Sequence, residues 1–244
     1  MKIVGIDLAW QSENNTTALA IGGLHGGMFR IEIVYEALAG LDEIVDVVHQ
    51  EGGVQGVAID APLIITNQSG QRLCERELSK VYGGRGASCH SSNLTLYPNP
   101  TSLTLSTRLQ EKGFKHLMPA VRGRWQLECY PHPAIIEIFG LSERLPYKKG
   151  RVAEKKQGQA NLAKHIKSLE ESQTLRLKIE KGAEQFLNEK RIFSNKGADL
   201  KKNEDALDSI ICAYIGALYA SSVSEKTFGS IETGYIYVPQ QKCI

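Results

Sequence analysis

A mixed α/β fold, one sheet with helices on its flanks, is the class that this 244-residue sequence predicts. Three observations carry the prediction. Residues 2–9, 16–23 and 28–36 are apolar, strand-like segments separated by short polar or glycine-rich stretches, the pattern of an antiparallel meander. Residues 41–50 then place Leu41, Ile44, Val45, Val47 and Val48 at helical spacing and lead through Gly52 and Gly53 into a further apolar run at 54–59. A strand reached through a helix is expected to lie parallel to its neighbour. Finally, residues 203–221 form a long apolar segment entered through acidic residues, expected as a helix packed on the sheet.

The remaining elements follow in chain order. Asn14 and Asn15 are expected to turn the first strand into the second, and His25, Gly26 and Gly27 the second into the third. Pro62 closes the fourth strand, since proline has no N–H to pair. Residues 71–82 suit a helix, residues 83–100 a loop rich in Gly, Ser, Asn and Pro, and residues 102–112 a short helix. Residues 124–130 read as a fifth strand, stopped by Pro131 and Pro133, with a helix beginning at 134–139. Basic helices are expected across 152–189, and residues 234–238 as a short strand. The whole reads as one domain over 1–244, with an insertion at 62–124 and a basic helical segment at 144–202.

Apolar residues make up 42 % of the chain and charged residues 23 %, which suits a globular protein. The net charge of +2 hides an uneven distribution. Residues 144–202 hold sixteen Lys and Arg against seven Asp and Glu. That excess suits a polyanionic partner, and equally a solvated helical face. The five cysteines are scattered without zinc-knuckle or redox spacing. With no leader pattern and no apolar run of about 20 residues, reduced thiols, a cytoplasmic location and no membrane association are expected.

Four aspartates stand out by position. Asp7 falls in the first strand, where an isolated buried carboxylate is costly and needs a partner. Asp60 ends the fourth strand. Asp205 and Asp208 stand three residues apart, on one face of the last long helix, where like charges repel. A divalent cation relieves that repulsion and gives Asp7 its partner; hard carboxylate oxygens suit Mg²⁺ or Mn²⁺. Such ions support phosphodiester hydrolysis. Taken singly, Asp205 also suits a helix N-terminus and Asp60 a turn. Glu128, in the fifth strand, is a fifth candidate, as a ligand or to position a water, and His132 is a candidate proton carrier or a turn residue.

These residues also carry a resemblance. GIDLAW at 5–10, AIDAPL at 58–63, ECYPHPA at 128–134, PYK at 146–148 and EDALDSIICAY at 204–214, with GYIYVP at 234–239, together resemble the DUF429 family. The resemblance implies a ribonuclease H-like fold: a five-stranded mixed sheet whose first three strands are antiparallel. It implies a predicted nuclease whose acids come from the first strand, the fourth strand and a C-terminal helix, the places of Asp7, Asp60 and Asp205 or Asp208. It also brings Tyr147 and Lys148 near the site, Lys148 as a phosphate contact.

The expected activity is therefore divalent-metal-dependent cleavage of nucleic acid, DNA or RNA. Asp7, Asp60, Asp205 and Asp208 hold the metal in this reading, and Glu128 joins them as catalytic. Lys148, Arg72 and Arg124 bind substrate, the two arginines from an insertion that could form a lid. A non-catalytic metal- or nucleic-acid-binding protein of the same fold is the alternative, with Trp10 and Trp125 as core residues. An actin- or sugar-kinase-like phosphotransferase is weaker, because the first turn lacks glycine and no second copy of the hairpin follows.

Overall fold

The structure, a computed structural model, describes residues 1–11 and 16–240. The turn expected at Asn14 and Asn15 lies outside the described residues, as does Cys243. The chain opens with β1 (Lys2–Asp7), β2 (Thr17–His25), β3 (Met28–Leu38), α1 (Leu41–Gln50) and β4 (Val54–Asp60). The insertion contributes α2 (Leu73–Tyr82), α3 (Thr101–Glu111) and β5 (Lys115–His116). Then come β6 (Trp125–Glu128), α4 (Pro131–Phe139), α5 (Val152–Ser168), β7 (Arg176–Ile179), α6 (Lys181–Glu184), α7 (Glu189–Ser194) and α8 (Ala198–Ala220). A hairpin of β8 (Glu225–Ser230) and β9 (Gly234–Pro239) follows.

The central sheet has seven strands in the order β5-β6-β4-β1-β2-β3-β7, not five. β1, β2 and β3 are antiparallel, while β4 runs parallel to both β1 and β6. The two strands beyond expectation sit at the edges, and both run parallel to their neighbour. β5 has two residues and β7 four, RLKI, set among basic residues read as helix. Neither is long enough to display alternation; pairing with a neighbour makes each a strand. β8 and β9 form a separate hairpin, joined to the end of β6 by a Cys129–Tyr237 bridge.

Alternation along β1 divides the core. Val4, Ile6 and Leu8 face α1 and α3, meeting Ile44, Val45, Leu105 and Leu109. Ile3 faces the other side, where α4, α5 and α8 cover the sheet. Gly5 shares that second face, because side chains two apart in a strand point the same way. There α8 comes so close that a Cβ on Gly5 would stand 2.0 Å from the Ala213 nitrogen and 2.3 Å from the Ser209 oxygen. Only glycine allows this approach. α8 is buried on nearly every side from Asn203 to Leu218, as expected of a helix held between layers.

The insertion is divided between two places. α3 packs on the α1 face of the sheet, while α2 packs against the β8–β9 hairpin through Cys74, Leu78, Tyr82, Phe228 and Ile236. Among the described residues, no helix is long and apolar enough to cross a membrane.

Candidate functional site

β1 and β4 pair in parallel with Asp7 opposite Asp60, so both carboxyls leave the same face at the C-terminal end of the strands. Ligands of open α/β sheets gather at that end. Asp7 is the last residue of β1, so it stands at the rim of the sheet and not within the strand.

α8 supplies the other acids. Its Gly216 lies against Ile3, and Ser209 and Ala213 lie against Gly5, so the helix runs antiparallel to β1. One further turn toward its N-terminus brings Asp208 and Asp205 to Asp7. Both helix acids come close enough to Asp7 to raise its carboxyl. The geometry thus brings together four aspartates from three elements separated by nearly 200 residues.

The segment before α5 adds the cation. Gly158 of α5 packs so closely on this segment that a Cβ there would meet the Pro146 oxygen at 2.1 Å, which fixes residues 146–148 over the site. The Tyr147 hydroxyl donates to Asp208 Oδ1 at 2.6 Å. Lys148 Nζ lies 2.6 Å from Asp208 Oδ2 and 4.0 Å from Asp60 Oδ2. Asp208 is completely buried, yet its Oδ2 takes no aligned hydrogen bond: the ammonium is near but off axis. Lys201, one helical turn before Asp205, donates to Asp205 Oδ1 at 2.6 Å and Glu204 Oε1 at 2.9 Å.

Charge in this row is unbalanced. Burial pushes Asp60 up to about 7; Lys148 opposes the shift and Asp208 and Glu128 add to it. Burial likewise raises Asp7 well above the carboxylate range, with Lys148 opposing and Asp208, Asp60 and Asp205 adding. Burial works against the Lys148 ammonium, but Asp208, Tyr147, Asp7 and Asp60 outweigh it and hold the lysine charged. His132, its ring 5.3 Å from that of Tyr147, is pushed down to about 3 by burial and then by Lys148.

No group of three or more His, Cys, Asp or Glu side chains among the described residues is set to hold a metal ion. The Lys148 ammonium stands between Asp208 and Asp60 instead. In chemistry the donor set still fits a hard divalent ion: four carboxylates face two ammoniums, and one buried carboxylate oxygen has no aligned donor.

Other expected site residues stand elsewhere or are already engaged. Glu128 accepts from Arg72 through both oxygens, at 2.6 and 2.9 Å, and from the Leu63 N–H at 2.8 Å. Arg72 also donates to Glu75 Oε1 at 2.8 Å and to the Ile64 carbonyl at 3.0 Å. Both side chains are buried, and the pair ties the insertion to the end of β6. The guanidinium is thereby held by internal partners. Arg124 precedes β6 at the opposite end of the sheet, donating to the Lys112 carbonyl and lying over Phe114, so the structure does not bring it to the acids. Lys201 was not among the expected residues. Its spacing of three from Glu204 and four from Asp205 was the signal for it.

No curated protein and no solved structure matches the chain significantly. One protein family does: a family described as a protein of unknown function, DUF429, matches residues 5–224. That match spans nearly the whole chain and all five motifs at residues 5–10, 58–63, 128–134, 146–148 and 204–214, so the chain belongs to the DUF429 family.

Proposed function

We propose that the protein is a divalent-metal-dependent nuclease built on a ribonuclease H-like sheet. The observation that carries this reading is the meeting of Asp7, Asp60, Asp205 and Asp208 at one rim of the sheet with less positive charge than they need. The sheet order supports the fold: without its two short edge strands it reads β3-β2-β1-β4-β6.

The four aspartates would hold Mg²⁺ or Mn²⁺. When bound, such an ion neutralises a phosphodiester and makes an attacking water more acidic. The chain's own residues prepare that site. Tyr147 fixes the rotamer of Asp208 through its hydroxyl. Lys148 keeps its charge at the row and can turn from Asp208 to a phosphate oxygen, as its partly exposed side chain allows. Neutral His132 packs behind Tyr147.

The test is cleavage of single-stranded, duplex and branched DNA and RNA with Mg²⁺ or Mn²⁺. Wild type is expected to cut at least one, and Asp7→Asn to lose more than the ~10–100-fold typical of residues behind the ligands. Cleavage that Asp7→Asn leaves intact would sink the reading.

A second reading rests on Lys148. If the ammonium is a permanent counter-ion, the row is structural and the protein binds without turnover. Asp7→Asn then alters stability alone.

A further inference from the structure

Two cavities open on either side of the acid row. One, of about 430 Å³, is lined by Asp60, His132, Arg144, Lys148 and Lys149 among others. The second, of about 450 Å³, is lined by Asp7, Asp205, Lys201 and Lys202. Trp10 and Gln11 line both, so the cavities adjoin just past the end of β1. The Trp10 ring is half-buried and held edge-on by Tyr97 at 4.6 Å between ring centres. Asp60 thus lines one chamber and Asp7 and Asp205 the other, and each chamber has basic side chains in its wall.

We propose that the substrate is a single-stranded nucleic acid laid across both chambers, with one nucleotide on each side of the acid row and Trp10 as the stacking surface between them. The inference rests on the nuclease reading and narrows it. An internal phosphodiester carries a residue on each side, and two chambers that adjoin at the acids give each residue a place. A mononucleotide needs one. A duplex has its bases paired and stacked inward and cannot lodge them in chambers of this size without melting. Lys149 and Arg144 on one side, and Lys202 on the other, offer charge for the flanking phosphates. Stacking on an aromatic ring tolerates any base, so the inference carries no sequence preference.

The test uses the full chain carrying Asp7→Asn, with Mg²⁺, and fluorescence anisotropy of labelled oligothymidylate and oligouridylate hexamers. A hexamer is expected to bind at least about tenfold more tightly than the mononucleotide or a blunt duplex of the same length. Trp10→Ala should weaken hexamer binding by about 5- to 150-fold, and Trp10→Phe should retain most of it. Trp10 also touches the core, so Lys149→Glu and Lys202→Glu carry the test if Trp10→Ala does not fold. Each should weaken the hexamer, because they stand in different chambers. Equal binding of duplex or mononucleotide, or indifference to either lysine reversal, overturns the proposal. Selective hexamer binding without cleavage by wild type supports it while removing the nuclease reading.

Discussion

Two groups of buried carboxylates lie near the same end of the sheet, and they are built differently. Around Arg72, every carboxylate oxygen has a donor aimed at it: Glu128 takes the guanidinium fork and a backbone N–H, and Glu75 takes the Arg72 side chain and the Arg72 and Ser92 N–H groups. In the row of Asp7, Asp60, Asp205 and Asp208, carboxyls raise one another's affinity for protons, and one buried oxygen has no aligned donor. Satisfied charge is what a protein uses to hold itself together; unsatisfied charge at the rim of a sheet is what it keeps for a ligand. By sequence Glu128 reads as a member of the second group; in the structure both of its oxygens are satisfied, as in the first, while it lines the same cavity as Asp60.

The largest effects should separate the two groups. Asp7→Asn should abolish the proposed cleavage while leaving a folded protein, because it deletes a charge its surroundings disfavour. Glu128→Gln should do the reverse. It leaves the Arg72 guanidinium buried beside one carboxylate fewer, and breaking such a pair costs about 3–5 kcal/mol. Urea denaturation should show that loss, with any cleavage by the surviving folded fraction retained. A Glu128→Gln protein as stable as wild type would erase the distinction.

The acid row should also make stability depend on pH. Asp60 holds its proton up to about 7, against an ordinary value of 3.8. Between those values the native state binds a proton that the unfolded chain has released, so its contribution is full at low pH and is lost as pH rises. The slope is at most about 1.4 kcal/mol per pH unit. His116 and His132, held neutral by burial with values pushed down to about 4 and about 3, act in the opposite sense below 6.5. The clean measurement is thus the stability difference between Asp60→Asn and wild type in chelator. It should move in favour of the variant as pH rises from about 4 to about 7. A flat difference would mean that Asp60 is ionised throughout.

Added cation should reverse that penalty. An ion that binds only the native state stabilises by about 2.7 kcal/mol at a hundred times its Kd. Mn²⁺ should raise the melting temperature of wild type near neutral pH, and should not raise that of an Asp7→Asn, Asp60→Asn double variant. The same protection in both proteins would place the ion elsewhere.

Much of this was legible in the sequence, for local reasons. β1 to β4 and α1 announce themselves by alternation, glycine turns and helical spacing, which need no distant partner. β5 and β7 do not, since two and four residues carry no period. Asp7 drew notice as a charge in an apolar run, and Asp205 with Asp208 as a repelling pair. Their convergence depends on Gly5 admitting α8, a contact across more than 200 residues that spacing cannot reveal. Arg72 meeting Glu128 is equally non-local. So an acid out of place was readable, but whether it is satisfied was not.

The smallest effect probes how the row is held. Tyr147→Phe removes one hydroxyl that donates to the completely buried Asp208 and leaves the ring in place. A hydrogen bond to a charged group contributes about 1.5–3 kcal/mol. Part of that should return, because Lys148 Nζ stands 2.6 Å from the neighbouring oxygen and is free to realign once Tyr147 ceases to fix the rotamer. A stability loss near the lower bound is therefore expected, together with a fall in cleavage of about 10–100-fold from a misplaced ligand. The two readouts distinguish roles. Lost stability with unchanged cleavage makes Tyr147 a packing residue with a polar tip, whereas lost cleavage at nearly constant stability shows that its hydroxyl sets where the Asp208 carboxylate points.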